Sequence, residues 1–305
     1  MAKQGFTFAG YKGEQSIHAA AAQHFGNALH ATLGDAGICT VLPDTVTRGP
    51  DFVDIPKLVA DGTLDFGYLS TVRLAKFVPE FTLFDLPYLS EDRAELFTLL
   101  DGALGNFFKS EIMRHSPFRI LAFWDNGLRH VTNRLRPLKT LSDCKGIAMR
   151  TQLSETIGDT VRAMGFTARP MDIREYRTKL DAPDIQAQDN DLPTTYNFEF
   201  YKHHPFITLT GHILGVRAVF CLNEAYMTWP EPVREAVQTA MNEAAKFQQS
   251  LSVDIETKTA AKLEADGATL TKLDAEAKDE FRKAVAPVRQ KHSGLFKHDV
   301  FKQFF

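Results

Sequence analysis

The sequence predicts an α/β protein of two lobes with mainly parallel sheets, and three observations carry that prediction. The chain is 305 residues long, whereas a single hydrophobic core stops growing at about 250–300 residues. In its first quarter, apolar segments alternate between strand and helix periods in the order β-α-β-α-β. A mainly parallel sheet covered by helices accommodates that order. Later, a helical period runs unbroken from Pro230 to Gly267. At about 1.5 Å per residue it spans on the order of 50 Å, more than one small domain is wide. A helix of that length lies across both lobes.

The elements follow in order. Phe6 to Gly10 is the first strand, and Glu14 to Leu33 the first helix, with Ile17, Ala20, Ala21, Phe25, Ala28 and Leu29 spaced along one buried face. Ile38 to Val46 is a strand, a helix from about Phe52 ends at Gly62, and Leu64 to Ser70 is a compact apolar strand ending on Tyr68, Ser70 and Thr71. The pattern resumes with FTLFDLPYL, a helix from about Glu91 to Arg114 and a strand from Phe118 to Trp124. The run DNGLRHVTN, Asp125 to Asn133, is expected to be a polar turn leading into a second strand. The crossing into the second lobe is placed there: residues 1–125 with about 214–252 make the first lobe, 126–213 with about 253–305 the second.

From Gly146 the sequence gives a short strand, GIAMRT, then a helix at Ser154 to Met164, a strand near Pro170 and a helix near Ile173 to Leu180. A polar turn is expected around Asp189 and Asn190, after which the apolar stretch Phe206 to Leu222 carries strands back toward the first lobe. Pro230 is a good first-turn residue and Gly267 a good terminator for the long helix. Its buried face is Val233, Val237, Met241, Ala244, Phe247, Leu251 and Ile255. A helix at Ala275 to Ser293 and the tail LFKHDVFKQFF close the chain, the tail phenylalanines packing on the body.

Composition excludes several classes. Hydrophobic residues make up 44% and charged residues 24%, as in ordinary globular proteins. No apolar run reaches the roughly 18 residues that span a bilayer. The net charge of −3 and the lack of a basic stripe interleaved with aromatics argue against a nucleic-acid partner. The three cysteines, Cys39, Cys144 and Cys221, are widely spaced and form no CxxC motif, so they are core residues. The chain runs from Met1 almost directly into FTFAGY with no export signal. The protein is therefore either cytosolic or an exported one whose signal has been removed.

No motif announces a reaction. Nucleotide-binding GxGxxG and GxxxxGK[ST], the GxSxG elbow and the HExxH pair are all missing from the sequence. His18, His24 and His30 recur every six residues, which scatters them around a helix and disfavours a shared metal. What stands out is a set of polar groups where second-lobe strands should end: Arg129 after a glycine, Arg150 ending GIAM, and Asn190. Ligands of open α/β sheets bind at the carboxyl ends of strands. Two guanidinium groups and an amide there are charge-assisted donors suited to a carboxylate. Internal pairing with acids such as Asp125 or Asp172 is the other reading of the same arginines.

The run FWDNGLRHVTNRLRPLKTLSDCKGIAMRTQLSETIGDTVRAMGF, Phe123 to Phe166, resembles the central signature of the solute-binding proteins of tripartite ATP-independent periplasmic (TRAP) transporters, the DctP type. LVADGTLDFGYLS, LFDLPYL and the region from QAQDNDLP to LTGHILG resemble the same family, in order and over nearly the whole chain. The resemblance implies a two-lobed, periplasmic-binding-protein-like fold with hinge segments and a shared helix at about 230–266. It also implies a periplasmic protein that binds a small organic acid in an interlobe cleft and presents it to membrane permease subunits, without a cofactor or metal and without catalysis.

The family's carboxylate-binding arginine falls on Arg150, a frequent second contact on Arg129, the asparagine of its Glu-Asn-Pro turn on Asn190, and an apolar or aromatic pocket position on Ile173. Tyr11, Tyr68, Ser70, Trp124 and His212 are further pocket candidates, with packing as their alternative role. The chain departs from the family at Pro183 to Asp191, where Gln186 replaces an aspartate and the pattern's glycine and proline are missing. A sugar acid, a hydroxy acid and an aromatic acid all fit a carboxylate grip. An enzyme acting on a small carboxylic acid in the same cleft is the alternative reading, and a cytosolic ligand sensor a third.

Overall fold

The computed structural model describes residues 5–45, 54–90 and 92–305. Val46, Phe52 and Glu91, at the expected ends of three elements, lie outside the described residues. The chain forms two compact units: Met1–Arg73, Phe97–Asp125 and Val216–Ile255 make the first, and Leu74–Leu96, Asn126–Gly215 and Glu256–Phe305 the second. A single cut at residue 125 leaves Leu74–Leu96 in the first lobe. Instead, hydrogen bonds tie that segment to second-unit groups: Tyr88 N–H donates to the His212 carbonyl at 2.8 Å, and Ser154 Oγ donates to Asp85 at 2.7 Å.

In chain order the elements are β1 (Phe6–Ala9), α1 (Ile17–Leu33), β2 (Cys39–Leu42), α2 (Ile55–Ala60), β3 (Phe66–Ser70), α3 (Arg93–Asp101), α4 (Ala103–His115) and β4 (Phe118–Asn133). There follow β5 (Ala148–Thr151), α5 (Glu155–Ala163), β6 (Thr167–Pro170), α6 (Ile173–Arg177), β7 (Ala187–Asn190), α7 (Leu192–Asn197) and α8 (Phe200–His203). The chain ends with β8 (Phe206–Leu222), α9 (Asn223–Thr228), α10 (Glu231–Ala265), β9 (Thr269–Thr271) and α11 (Ala275–His292). The single helix expected at 91–114 is two helices, because Gly102 stands between α3 and α4 as the N-cap of the second.

In the first unit β1 pairs in parallel with β2 and β3, and β3 pairs antiparallel with residues 217–221 of β8. Helix α1 starts where Ser16 Oγ accepts the Ala19 N–H at 3.1 Å, a side chain replacing one carbonyl that the first helical turn lacks. Its inner face closes a core of Phe8, Phe25, Phe66, Tyr68 and Trp124. The Phe8 and Trp124 rings stack at 5.7 Å and 6°. In the second unit β5 pairs in parallel with β6 and β7, β7 pairs antiparallel with the end of β4, and β9 pairs in parallel with the start of β8. Most of these pairings are parallel, as the sequence predicts, and the antiparallel ones arise where the long strands β4 and β8 run against β7 and β3 respectively.

Two expected polar turns are strands. Asp125 to Asn133 lies wholly within the 16-residue β4, and Ala187 to Asn190 is β7, buried at all four positions. Distant groups satisfy the polar atoms of β4. Gln248 from α10 accepts the Asp125 N–H at 2.9 Å and donates to the Asp125 carbonyl at 2.7 Å, while Glu256 accepts the Leu128 N–H at 2.8 Å. A turn is therefore not needed to hydrate them.

Gly127 makes the local geometry possible. Its φ is +85°, and an added Cβ would lie 2.9 Å from Asp191 Cβ and 2.9 Å from Glu256 Oε1. Gly127→Ala is expected to destabilise the protein by about 1–3 kcal/mol, read as a lower urea midpoint at unchanged slope. An unchanged midpoint would contradict the close approach. Helix α10 is 35 residues long, its residues up to Ile255 belonging to the first unit and those from Glu256 to the second. In the tail, Phe296, Phe301 and Phe304 are buried and Phe305 is half exposed.

Candidate ligand site

Strand β5 ends on Arg150 and Thr151, and its register sets Arg150 beside Gln188 of β7. The Arg150 side chain is 2% exposed. Its Nε donates to the Met171 carbonyl at 2.9 Å, and its guanidinium carbon lies 5.6 Å from the centroid of the Tyr176 ring. Among the described residues no carboxylate pairs with Arg150, and no protein group accepts from its two terminal nitrogens. Burial pushes its pKa down to about 10; Asp189 nearby offsets part of that and Arg129 adds to it. The charge is kept at a cost in stability.

Arg129 differs in having a resident counterion. Its Nε donates to Asp189 Oδ2 at 2.5 Å and Nη2 to the Asp189 carbonyl at 2.5 Å, with Asp189 itself fully buried. Burial works against the charge of Arg129, but Asp189 raises its pKa nonetheless. For Asp189, burial acts upward and is overcome by Arg129 and His212, which hold the carboxyl well below the usual carboxylate range. The partner of Arg129 is thus neither Asp125 nor Asp172, the latter being engaged by Arg174 Nε at 2.8 Å.

Asn190 extends the same network. Its Oδ1 accepts from Arg129 Nη1 at 3.4 Å and its Nδ2 donates to Gln188 Oε1 at 2.5 Å, while Gln188 Nε2 donates to Thr132 at 2.7 Å. His212 is sealed beside them: Nδ1 lies 2.7 Å from Thr210 Oγ1, and Nε2 lies 3.4 Å from Asp189 Oδ2. Ile173, the first residue of α6, is half-buried against Tyr176, Ile185 and Phe200. The second unit therefore gathers Arg150, Arg129, Asn190, Ile173 and His212.

The other candidates belong to the first unit. Trp124 is fully buried in that unit's core. Tyr11 and Tyr68 flank the guanidinium of Arg217, whose carbon lies 4.9 Å and 5.3 Å from their ring centroids; Arg217 also donates to the Tyr11 hydroxyl. Ser70 sits opposite Arg217 in the β3–β8 register. Sequence reasoning missed Arg217, Asp189, Gln188 and Tyr176. Arg217, inside the long apolar run of β8, was the one with a visible signal: a lone cation there needs a purpose.

Asp85 adds a titrating group to the second unit. It is 4% exposed, and burial pushes its pKa up to about 7, against the Ser154 hydrogen bond and Arg129, with Asp189 adding to the rise. The folded state thus favours the neutral acid. Its contribution is complete below about pH 4 and is lost as pH rises toward 7, up to about 4 kcal/mol in all. Asp85→Asn is expected to flatten the fall in urea stability between pH 5 and pH 8. A fall as steep as in the wild type would contradict the burial of this acid.

Among the described residues no group of three or more histidine, cysteine or acidic side chains is placed to hold a metal ion. Nor is any helix among them long and apolar enough to cross a membrane.

Residues 8–294 match the family described as bacterial extracellular solute-binding protein, family 7, the DctP family. A solute-binding protein of Verminephrobacter eiseniae is 30% identical over 236 residues, 77% of this chain and 69% of that protein. The 2,3-diketo-L-gulonate-binding periplasmic protein YiaO of Escherichia coli is 30% identical over 63% of this chain and 58% of its own length. A TRAP periplasmic solute-binding protein from Polaromonas, bound to D-erythronate, superposes with a TM-score of 0.88 at 25% identity, covering 99% of this chain and 98% of that one. The sugar-acid-binding protein DctPAm of Advenella mimigardefordensis, in complex with galactonate, superposes with a TM-score of 0.89 at 22% identity, covering 100% and 97%. With a family match over almost its whole length, the chain belongs to the family 7 bacterial extracellular solute-binding proteins of the DctP type.

Proposed function

We propose that this chain is the extracytoplasmic solute-binding subunit of a TRAP transporter, that it binds a sugar acid through the carboxylate, and that it delivers the acid unchanged to a membrane permease. The observation that carries the proposal is the contrast between two buried arginines. Arg129 has its carboxylate inside the protein, whereas Arg150 holds a buried charge with no internal anion among the described residues. Arg150 is then the primary grip, and Arg129 Nη1 with the Asn190 amide supplements it. The 2,3-diketo-L-gulonate, D-erythronate and galactonate named for similar proteins are all hydroxylated carboxylates, which supports a sugar acid as cargo.

The test is a melting-temperature screen of the purified protein against sugar acids, other hydroxy acids, aromatic acids and dicarboxylates, with Arg150→Ala alongside. Binding to the folded state raises the melting temperature by mass action. A shift from sugar acids that the variant loses is the expected result, with the acid recovered unaltered. A shift that survives in Arg150→Ala would overturn the assignment, and conversion of the acid would favour the enzyme reading.

A further inference from the structure

We infer that Tyr176 is the positioning residue of the ligand grip: it holds the guanidinium of Arg150 on a neutral aromatic face, and His204 fixes that face. The inference rests on the assignment of Arg150 above. A buried arginine needs something to rest on while no ligand is present, and two kinds of support are available. An internal carboxylate, such as Asp189 gives Arg129, occupies the N–H donors and competes with any arriving acid. An aromatic face attracts the cation through its quadrupole and occupies none of them. Arg150 has the second kind, with the Tyr176 ring centroid 5.6 Å from its guanidinium carbon.

The ring is itself held. Tyr176 and His204 are both fully buried, and the Tyr176 hydroxyl lies 3.2 Å from His204 Nε2. Arg134 Nη2 lies 3.4 Å from the same nitrogen. An arginine can only donate, so Nε2 is an acceptor and the imidazole is neutral. Burial agrees, pushing the pKa of His204 down to about 3. The Tyr176 hydroxyl therefore donates to Nε2, which leaves more electron density on the ring and strengthens its pull on the cation.

The spacing is set by one short segment. The Met171 carbonyl takes Arg150 Nε, Asp172 caps α6 by accepting the Arg174 N–H at 2.9 Å, and Tyr176 follows on that helix. The contacts that aim the guanidinium thus come from residues five apart in sequence. Phe200 backs the ring at 5.6 Å between centroids.

The experiment compares wild type, Tyr176→Phe, Tyr176→Met, Phe200→Leu and Arg150→Lys, using titration calorimetry with D-erythronate, galactonate and succinate and the NMR signal of the Arg150 Nε–H without ligand. In the wild type that signal should be displaced by the ring current, kept in Tyr176→Phe and Phe200→Leu, and returned to the ordinary arginine position in Tyr176→Met; its loss in Arg150→Lys assigns it. Tyr176→Met is expected to weaken binding tenfold or more, while Tyr176→Phe, which keeps the ring but loses its hydrogen bond to His204, weakens it about threefold. Phe200→Leu should lower the melting temperature without the affinity loss, which separates positioning from packing.

The inference is overturned if Tyr176→Met binds as the wild type does, if Phe200→Leu loses as much affinity, or if the resonance ignores residue 176. Failure of all three acids to bind the wild type would count against the carboxylate reading instead, with the ring-current shift still deciding the stack.

Discussion

Replacing Arg150 with methionine is expected to abolish binding of the acid and, at the same time, to raise the melting temperature of the unliganded protein. Arg150 is 2% exposed and carries its charge against burial, which lowers its pKa to about 10. For a cation the sign is unambiguous: a folded pKa below the unfolded one means that the charged form is destabilised in the folded protein at every pH below about 10. The shift corresponds to about 3 kcal/mol, and methionine fills similar volume without that penalty. A gain of about 1–3 kcal/mol is expected, the upper end reduced by the lost cation–π contact with Tyr176. Binding should weaken about 100-fold or more, the scale on which truncating a buried charge pair acts. Calorimetry and thermal unfolding of the same preparation check both parts. A variant that loses affinity and stability together would mark Arg150 as a structural residue.

Asp189 should behave in the opposite way. It is fully buried, 2.5 Å from Arg129 Nε and 3.4 Å from His212 Nε2. Asp189→Ala removes the internal counterion of Arg129 and leaves an uncompensated buried cation, a loss of about 3–5 kcal/mol. Many chains would not tolerate it. Because the folded state depresses this carboxyl's pKa, its contribution is present above about pH 4, the unfolded value, and disappears as pH falls through the folded one. Urea unfolding of Asp189→Ala at neutral pH measures the loss directly. Arg129→Met combined with Asp189→Leu should recover most of it, since an apolar pair needs no counterion. A single variant within 1 kcal/mol of the wild type would show that the pair stabilises nothing.

These two residues also mark how far the sequence could be read. That Arg150 lies at the end of a short apolar strand was legible from GIAMRT, whereas its part in ligand binding is implied by the family resemblance alone. The pairing of Arg129 with Asp189 was not, because the partners are 60 residues apart and meet only through the β4–β7 register. Local polarity misled in the same region. DNGLRHVTN and QDN have the composition of turns, yet both are strands, because Gln248, Glu256 and the residues of the neighbouring strand bind their polar atoms from a distance.

The helices were easier. Ser16, Ser154 and Asp274 cap α1, α5 and α11 where the apolar period begins. The long period after Pro230 is α10 almost to the residue. Tyr176 gave no sign at all, since nothing in its neighbourhood of the sequence says that an arginine on a strand 26 positions earlier will lie over its ring.

The most direct measurement is a calorimetric titration of the wild type and Arg150→Met with the acid that shifts the melting temperature most, and with the primary amide of that acid. The amide keeps every hydroxyl and removes only the charge. The acid should bind the wild type alone, and the amide about 100-fold more weakly or not at all. An amide that binds as tightly as the acid, or an acid that Arg150→Met still holds with wild-type affinity, would contradict the carboxylate grip.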